Sequence, residues 1–339
     1  MTGDGMGFKT GRVCLGVIAS LAFAAPAVPQ SHQASAPRAA VHAPLVVDTD
    51  IARFWTAFDA IQAAAPADRL KLIQALYIDA GTPGLHALMA ARRYTPQEYV
   101  DAIAKWPKFW ASVRPLTARS RAATTTLNGD VERFRRLYPQ LRPATITYAI
   151  GVLRTGGTTV GDKVLIGAEL GLGDESVDVS ELPEPLRTRL ATFFRSRPFA
   201  NNAQNNIHEY VHTQQQETDG TLLQQSLREG VAELVAELIT GRKPALPVYS
   251  YGPTHEAAIK ARFVTEMGDD HYDNWLWNSA ANPFGVSDLG YFVGYRIAQR
   301  YYDAARDKKA AIRTLIELPY NDPAAIRAFT DRTGYFLGA

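Results

Sequence analysis

Cysteine is almost absent: the 339-residue chain carries one, Cys14. That excludes a disulfide framework and a cysteine-ligated structural zinc site. Charge of one sign is equally scarce. Lys plus Arg total 36 and Asp plus Glu total 34, a net of +2, so no basic field argues for nucleic acid. No internal repeat is evident, and no low-complexity tract follows the N-terminal leader. What remains is a globular composition, 46% hydrophobic and 10% aromatic, long enough for roughly two domains. Function therefore has to be found in particular residues.

Residues 1–30 read as an export signal. Lys9 and Arg12 precede a mostly apolar or small run from Val13 to Ala25, too short to span a bilayer, and Ala22 and Ala24 offer an Ala-x-Ala cleavage pattern. Residues 31–47, which begin rich in Ala, Pro, Ser and His, read as a linker. The expected location is the periplasm or the exterior of a bacterial cell, with no stable membrane insertion once the signal and Cys14 are removed. No oligomeric state can be read.

Residues 48–142 predict a helical N-terminal lobe. Phe54, Trp55, Phe58 and Ile61 are followed by Leu70, Leu72, Ile73, Leu76 and Tyr77, then by Tyr99, Ile103, Trp106, Phe109 and Trp110. Spacings of three and four make one-sided helices, punctuated at Gly81, Pro83 and Pro107. The period changes after Pro143. Residues 145–153 and 163–168 are β-branched or apolar enough for strands, with Gly156-Gly157 as a hairpin turn. Helices are expected again at about 184–196, 202–216, 221–240, 254–267, 288–306 and 308–317. The fold class is α+β, helix-dominated.

Residues 208–212 read His-Glu-Tyr-Val-His. On a helix, His208 and His212 lie one turn apart on the same face and can reach one metal ion, while Glu209 is rotated by about 100° and can face a water. A catalytic zinc takes three protein ligands, so another must come from elsewhere. Glu229, Glu233 and Glu237 form a stripe on the next helix. A turn near Asp219-Gly220 would bring that helix back antiparallel, with Gly230, Ala232 and Ala236 allowing close approach to the histidine helix. Glu229 is the expected ligand and Glu233 the carboxylate behind a histidine ring, although the spacing leaves their order open. A solvated helix face would explain either set alone; their joint occurrence favours one Zn2+ per chain.

The stretch from Asn205 to Leu238 resembles the gluzincin zinc metallopeptidases, in which HExxH is followed by a helix carrying a ligand glutamate, often inside Glu-Gly-x-Ala-Glu as at residues 229–233. Tyr77-Ile78-Asp79, Gly81 to Leu85, Gly156-Gly157-Thr158, His208 to Gln214 and Gly290 to Tyr295 together resemble an uncharacterised bacterial family of predicted Zn-dependent proteases. The resemblance implies a zincin-like core over residues 143–339. It also implies hydrolysis of a peptide or protein substrate by zinc-activated water, with Glu209 as general base.

Such chemistry needs a donor for the developing oxyanion. The helix after Ser287 carries Gly290, Gly294 and Ala298 at four-residue spacing, a stripe that implies close helix packing. Tyr291 and Tyr295 beside it are the candidate donors, Tyr295 ahead, with Arg296, His255 and His271 behind; for both tyrosines a core role is the alternative. The strand at 163–168 is expected to offer its edge to an extended peptide. Two other readings compete: a non-catalytic envelope binding or assembly protein on the same scaffold, and a zinc hydrolase of a non-peptide amide.

Overall fold

A computed structural model describes residues 45–278 and 282–338. The leader of residues 1–30 lies outside them, as does most of the linker. Residues Pro44–Ala339 form one compact unit, helix-dominated α+β with a small mixed sheet.

The first helices are α1 (Thr49–Ala63), α2 (Arg69–Ile73), which runs on through a π turn at Gln74–Ile78, α3 (Pro83–Arg92), α4 (Pro96–Lys105), α5 (Pro107–Val113) and α6 (Ser120–Leu137). Three of them start with proline, whose missing N–H costs nothing at the first helical position. Their apolar faces converge on Phe54, Tyr77, Tyr99 and Trp110, all fully buried and packed edge-on or tilted against Phe54. Of the apolar positions expected to face inward, Leu70 is exposed.

The sheet holds β1 (Val46–Val47), β2 (Thr145–Ala149), β3 (Thr158–Val160) and β4 (Lys163–Gly167) in the order β1-β2-β4-β3. β1 pairs parallel with β2, β2 parallel with β4 in the register Thr145 to Lys163, and β3 antiparallel with β4. This corrects the hairpin expectation. Gly156-Gly157 lies in the loop that carries the chain past the place β4 later fills, and the tight turn is at Gly161, whose φ of 56° suits glycine. β3 and β1 are the edge strands, whereas β4 is paired on both sides and offers no edge.

The crossing loop is pinned from below. After β4 comes the short α7 (Ala168–Gly171), and its Glu169 accepts hydrogen bonds from the amides of Gly151 at 2.9 Å and Leu153 at 3.2 Å. The hydroxyls of Tyr77 and Tyr99 both donate to the Ile150 carbonyl, so the helical lobe holds the same loop. Burial pushes the Glu169 carboxyl up to about 7, against the pull of the amide donors. A pKa raised on folding means that the folded chain binds the proton more tightly. The carboxylate therefore costs nothing below about pH 4.5, costs progressively more up to pH 7, and imposes its full penalty of about 3 kcal/mol above that. Wild-type protein is expected to lose more stability between pH 5 and pH 8 than Glu169→Gln does, by most of that amount. Urea unfolding of both at the two pH values measures the difference, and parallel declines would contradict it.

The remaining helices are α8 (Leu186–Arg195), α9 (Asn202–His212), α10 (Leu222–Thr240), α11 (Val248–Glu266), α12 (Leu289–Ala304), α13 (Lys308–Ile316) and α14 (Pro323–Thr333). α9 stops at His212, short of the expected 216. α11 starts earlier than expected and accommodates Pro253 in its second turn. α14, capped by Asp322, was not anticipated. None of the helices among the described residues is long and apolar enough to cross a membrane.

Candidate metal centre

α9 and α10 run antiparallel. Gln204 reaches Glu233 and Thr240, His208 reaches Glu229, and Gln215 reaches Arg228, so positions advance on one helix as they retreat on the other. α10 starts at a reciprocal cap between Thr221 and Gln224 and stops at Gly241, in the left-handed region with a φ of 70°. α10 packs on α9 through its glutamates, but Gly230 faces α12 instead, which corrects the role expected of that glycine. A Cβ on Gly230 would lie 1.9 Å from the Tyr295 amide nitrogen, and one on Gly294 would lie 1.7 Å from the Ser226 carbonyl. The glycine stripe of α12 therefore fixes α10, and α10 fixes its glutamates.

Three ligand atoms converge. His208 Nε2 lies 3.0 Å from His212 Nε2, and Glu229 Oε2 lies 3.2 Å from each. A tetrahedral zinc with bonds of 2.0 to 2.1 Å separates its ligand atoms by about 3.3 Å, so these three form one face of such a site as they stand. The side chains are buried, His208 8%, His212 7% and Glu229 4% exposed, which argues against the solvated-face explanation. The structure brings Glu229, not Glu233, to the histidine pair. Glu233 stands on the other side of His208, with Oε1 3.5 Å from Nδ1 and Oε2 accepting from Gln204 Nε2 at 3.1 Å.

Charge in the cluster calls for a cation. Burial opposes protonation of His208, but the carboxylates of Glu233, Glu229 and Glu209 outweigh it and push the imidazole up to about 9. Burial likewise works against ionised Glu229, and the two imidazoles win, holding it well below the usual carboxylate range. Burial raises Glu233, despite the pull of His208.

His212 is oriented by a relay that sequence reasoning missed. Its Nδ1 donates to Gln215 Oε1 at 2.7 Å. The Gln215 amide group in turn donates to the Arg228 carbonyl at 3.0 Å and to Tyr320 Oη at 3.1 Å. A carbonyl can only accept, so the glutamine cannot flip, and His212 is left with its Nε2 lone pair facing the cluster. Gln215 lies only three residues beyond the motif, but nothing in its identity announced the role. Gln215→Leu is expected to weaken affinity for a divalent metal about 10–100-fold with the fold intact, as measured by competition with a chromophoric chelator.

Glu209 stays out of the trio and faces the cleft, half-buried. Its Oε2 accepts from Thr159 Oγ1 at 2.7 Å, and Thr159 sits on β3, so that edge strand and the glutamate are tied together. Two cavities meet here, of about 330 and 490 Å3, and His208, Glu209, Gly157, Trp277 and Tyr291 line both. Of the two tyrosines, the cleft takes Tyr291. Its ring stacks on His208 with centroids 6.1 Å apart, and its hydroxyl accepts from Trp277 Nε1 at 3.1 Å. The Tyr295 hydroxyl instead donates to Glu237 Oε2 at 2.7 Å, which accounts for the third glutamate of the stripe. His255 stacks on Tyr251, His271 is exposed and Arg296 pairs with Glu256; none of the three lines either cavity.

Searches against protein-family models, curated proteins and solved structures find no match for this chain. The assignment therefore rests on the residues themselves: a buried cluster of two histidines and a glutamate that could hold one metal ion.

Proposed function

We propose that the protein is an exported zinc-dependent peptidase. The observation that carries this is the trio of His208, His212 and Glu229 at 3.0 to 3.2 Å, with a second carboxylate, Glu209, left in the cleft beside it. Export is supported by the leader pattern of residues 1–30. Peptide as substrate is supported by β3, a sheet edge whose Thr158 and Thr159 line the larger cavity.

The donor set suits zinc, with two neutral imidazoles and one carboxylate. A zinc ion held there supplies a Lewis acid that polarises a carbonyl and makes water acidic. Glu209 is the general base: it takes a proton from water and returns it to the leaving amine, while Thr159 keeps its carboxylate aimed into the cleft. Tyr291 is the donor to the oxyanion. Burial, reinforced by Glu229, pushes its hydroxyl well above the ordinary tyrosine value, so it keeps a proton to donate while accepting from Trp277.

The test is Glu209→Gln beside wild type, with zinc content and cleavage of a broad peptide library measured on both. Unchanged zinc with turnover reduced about 10^2- to 10^4-fold is expected. Zinc retained without peptide cleavage by wild type would overturn the peptidase reading, in favour of a non-peptide amide or a non-catalytic binding role.

A further inference from the structure

The two cavities that meet at the metal cluster differ in chemistry. Beyond the shared residues, the smaller has an apolar side made by Phe193, Pro198 and Leu246, with Asn205, Glu233, Asn278 and Asp288 on the rest of its wall. The larger is walled by two guanidiniums, Arg92 and Arg228. Arg228 is committed: its Nη1 lies 3.6 Å from Glu229 Oε1, and its Nε donates to the Gln216 carbonyl at 3.3 Å. Arg92 is not. Its Nε is buried without a hydrogen-bond partner, and among the described residues its side chain carries no ion pair.

The cost falls on the buried Nε, while the rest of the partly exposed guanidinium remains free to pair with an anion that enters the cleft. The backbone around Arg92 is well fixed. It is the last residue of α3, Arg93 follows in the left-handed region with a φ of 52°, and its own carbonyl accepts from Arg154 Nη1 at 3.3 Å. α3 in turn is seated on the sheet, where a Cβ on Gly84 would lie 2.2 Å from Thr147 Oγ1. The guanidinium is thus presented by a rigid element, as recognition of a planar anion needs.

We propose that Arg92 determines specificity by pairing with a carboxylate of the substrate, on the opposite side of the scissile bond from an apolar side chain held near Phe193 and Leu246. This rests on the peptidase reading above. The carboxylate comes either from an acidic side chain or from the C-terminus of the substrate, and the two sources call for different peptides.

The experiment uses short fluorescent peptides built around one phenylalanine. In one arm Glu is exchanged for Gln at successive positions beside the phenylalanine, with the C-terminus amidated. In the other, peptides without acidic residues carry a free or an amidated C-terminus. Cleavage is measured with zinc-loaded wild type, Arg92→Gln and Arg92→Glu, and binding by anisotropy with zinc-loaded Glu209→Gln with and without Arg92→Gln. Zinc content and thermal unfolding check that each variant is folded and loaded.

In one arm, the acid peptide is expected to exceed its neutral match by at least about tenfold in kcat/KM and in affinity. Arg92→Gln reduces that ratio to near one, and Arg92→Glu inverts it in favour of the neutral peptide. Equal handling of acid and neutral peptides by wild type, or a ratio that survives Arg92→Gln, overturns the proposal. If wild type cleaves none of the peptides, the peptidase reading falls, but the binding ratio still decides Arg92: a preference lost in Arg92→Gln upholds carboxylate recognition, and no preference or no binding overturns it.

Discussion

His208→Ala is expected to abolish stoichiometric zinc binding. Removing a residue that merely orients a ligand costs about 10–100-fold in metal affinity, and His208 supplies one of only three ligand atoms, so a loss of at least about 10^3-fold follows. The imidazole also faces Glu229 at 3.2 Å and Glu233 at 3.5 Å, and without it buried Glu233 loses its one ion-pair partner among the described residues while Glu229 keeps only His212 and Arg228. The variant should therefore be less stable even without metal. Zinc at about 100 times its dissociation constant stabilises a folded chain by about 2.7 kcal/mol, a rise of several degrees in Tm. Wild type should show that rise and His208→Ala should not. Thermal unfolding with and without zinc reads it directly, and an equal rise in both would place the metal elsewhere.

Gly294→Ala is expected to destabilise the protein by about 3 kcal/mol or more, at or beyond the top of the usual range for overpacking. The new methyl would meet the Ser226 carbonyl at 1.7 Å, and backbone, unlike the tip of a side chain, has no rotamer in which to retreat. α10 and α12 must then separate, and Glu229 adjoins Gly230 at the same crossing. Zinc affinity should fall together with stability, although Gly294 touches no ligand atom. Gly129→Ala is the comparison. Gly129 lies exposed within α6 with nothing near its missing Cβ, and alanine there should stabilise by up to about 1 kcal/mol. Urea unfolding of the two variants, with zinc titration of each, checks both statements; a neutral Gly294→Ala would show that the helices are not in contact at that crossing.

The parts of this molecule that could be read in its sequence are those that repeat with a helical period. His208 and His212 share a face because four residues make about one turn, and Glu229 follows at a distance that lets the next helix return beside them. The glycine stripe of α12 announced a close crossing, but a stripe names no partner, and the partner proved to be α10. The sheet was less legible. β1 and β3 are two and three residues long, too short for a period of two to declare itself, and the parallel pairing of β2 with β4 depends on a loop held by Glu169 sixteen or more residues beyond the amides it binds. Tyr291 and Tyr295 are one turn apart on one helix, so periodicity could not separate them. The neighbours did: Trp277 and His208 receive one, Glu237 the other.

The central claim is that His208, His212 and Glu229 hold one zinc ion. It is tested most directly by metal content, measured by mass spectrometry on wild-type protein purified without chelator, supplied with zinc and freed of excess. Near one zinc per chain is the result this account predicts, and protein that retains none would contradict it.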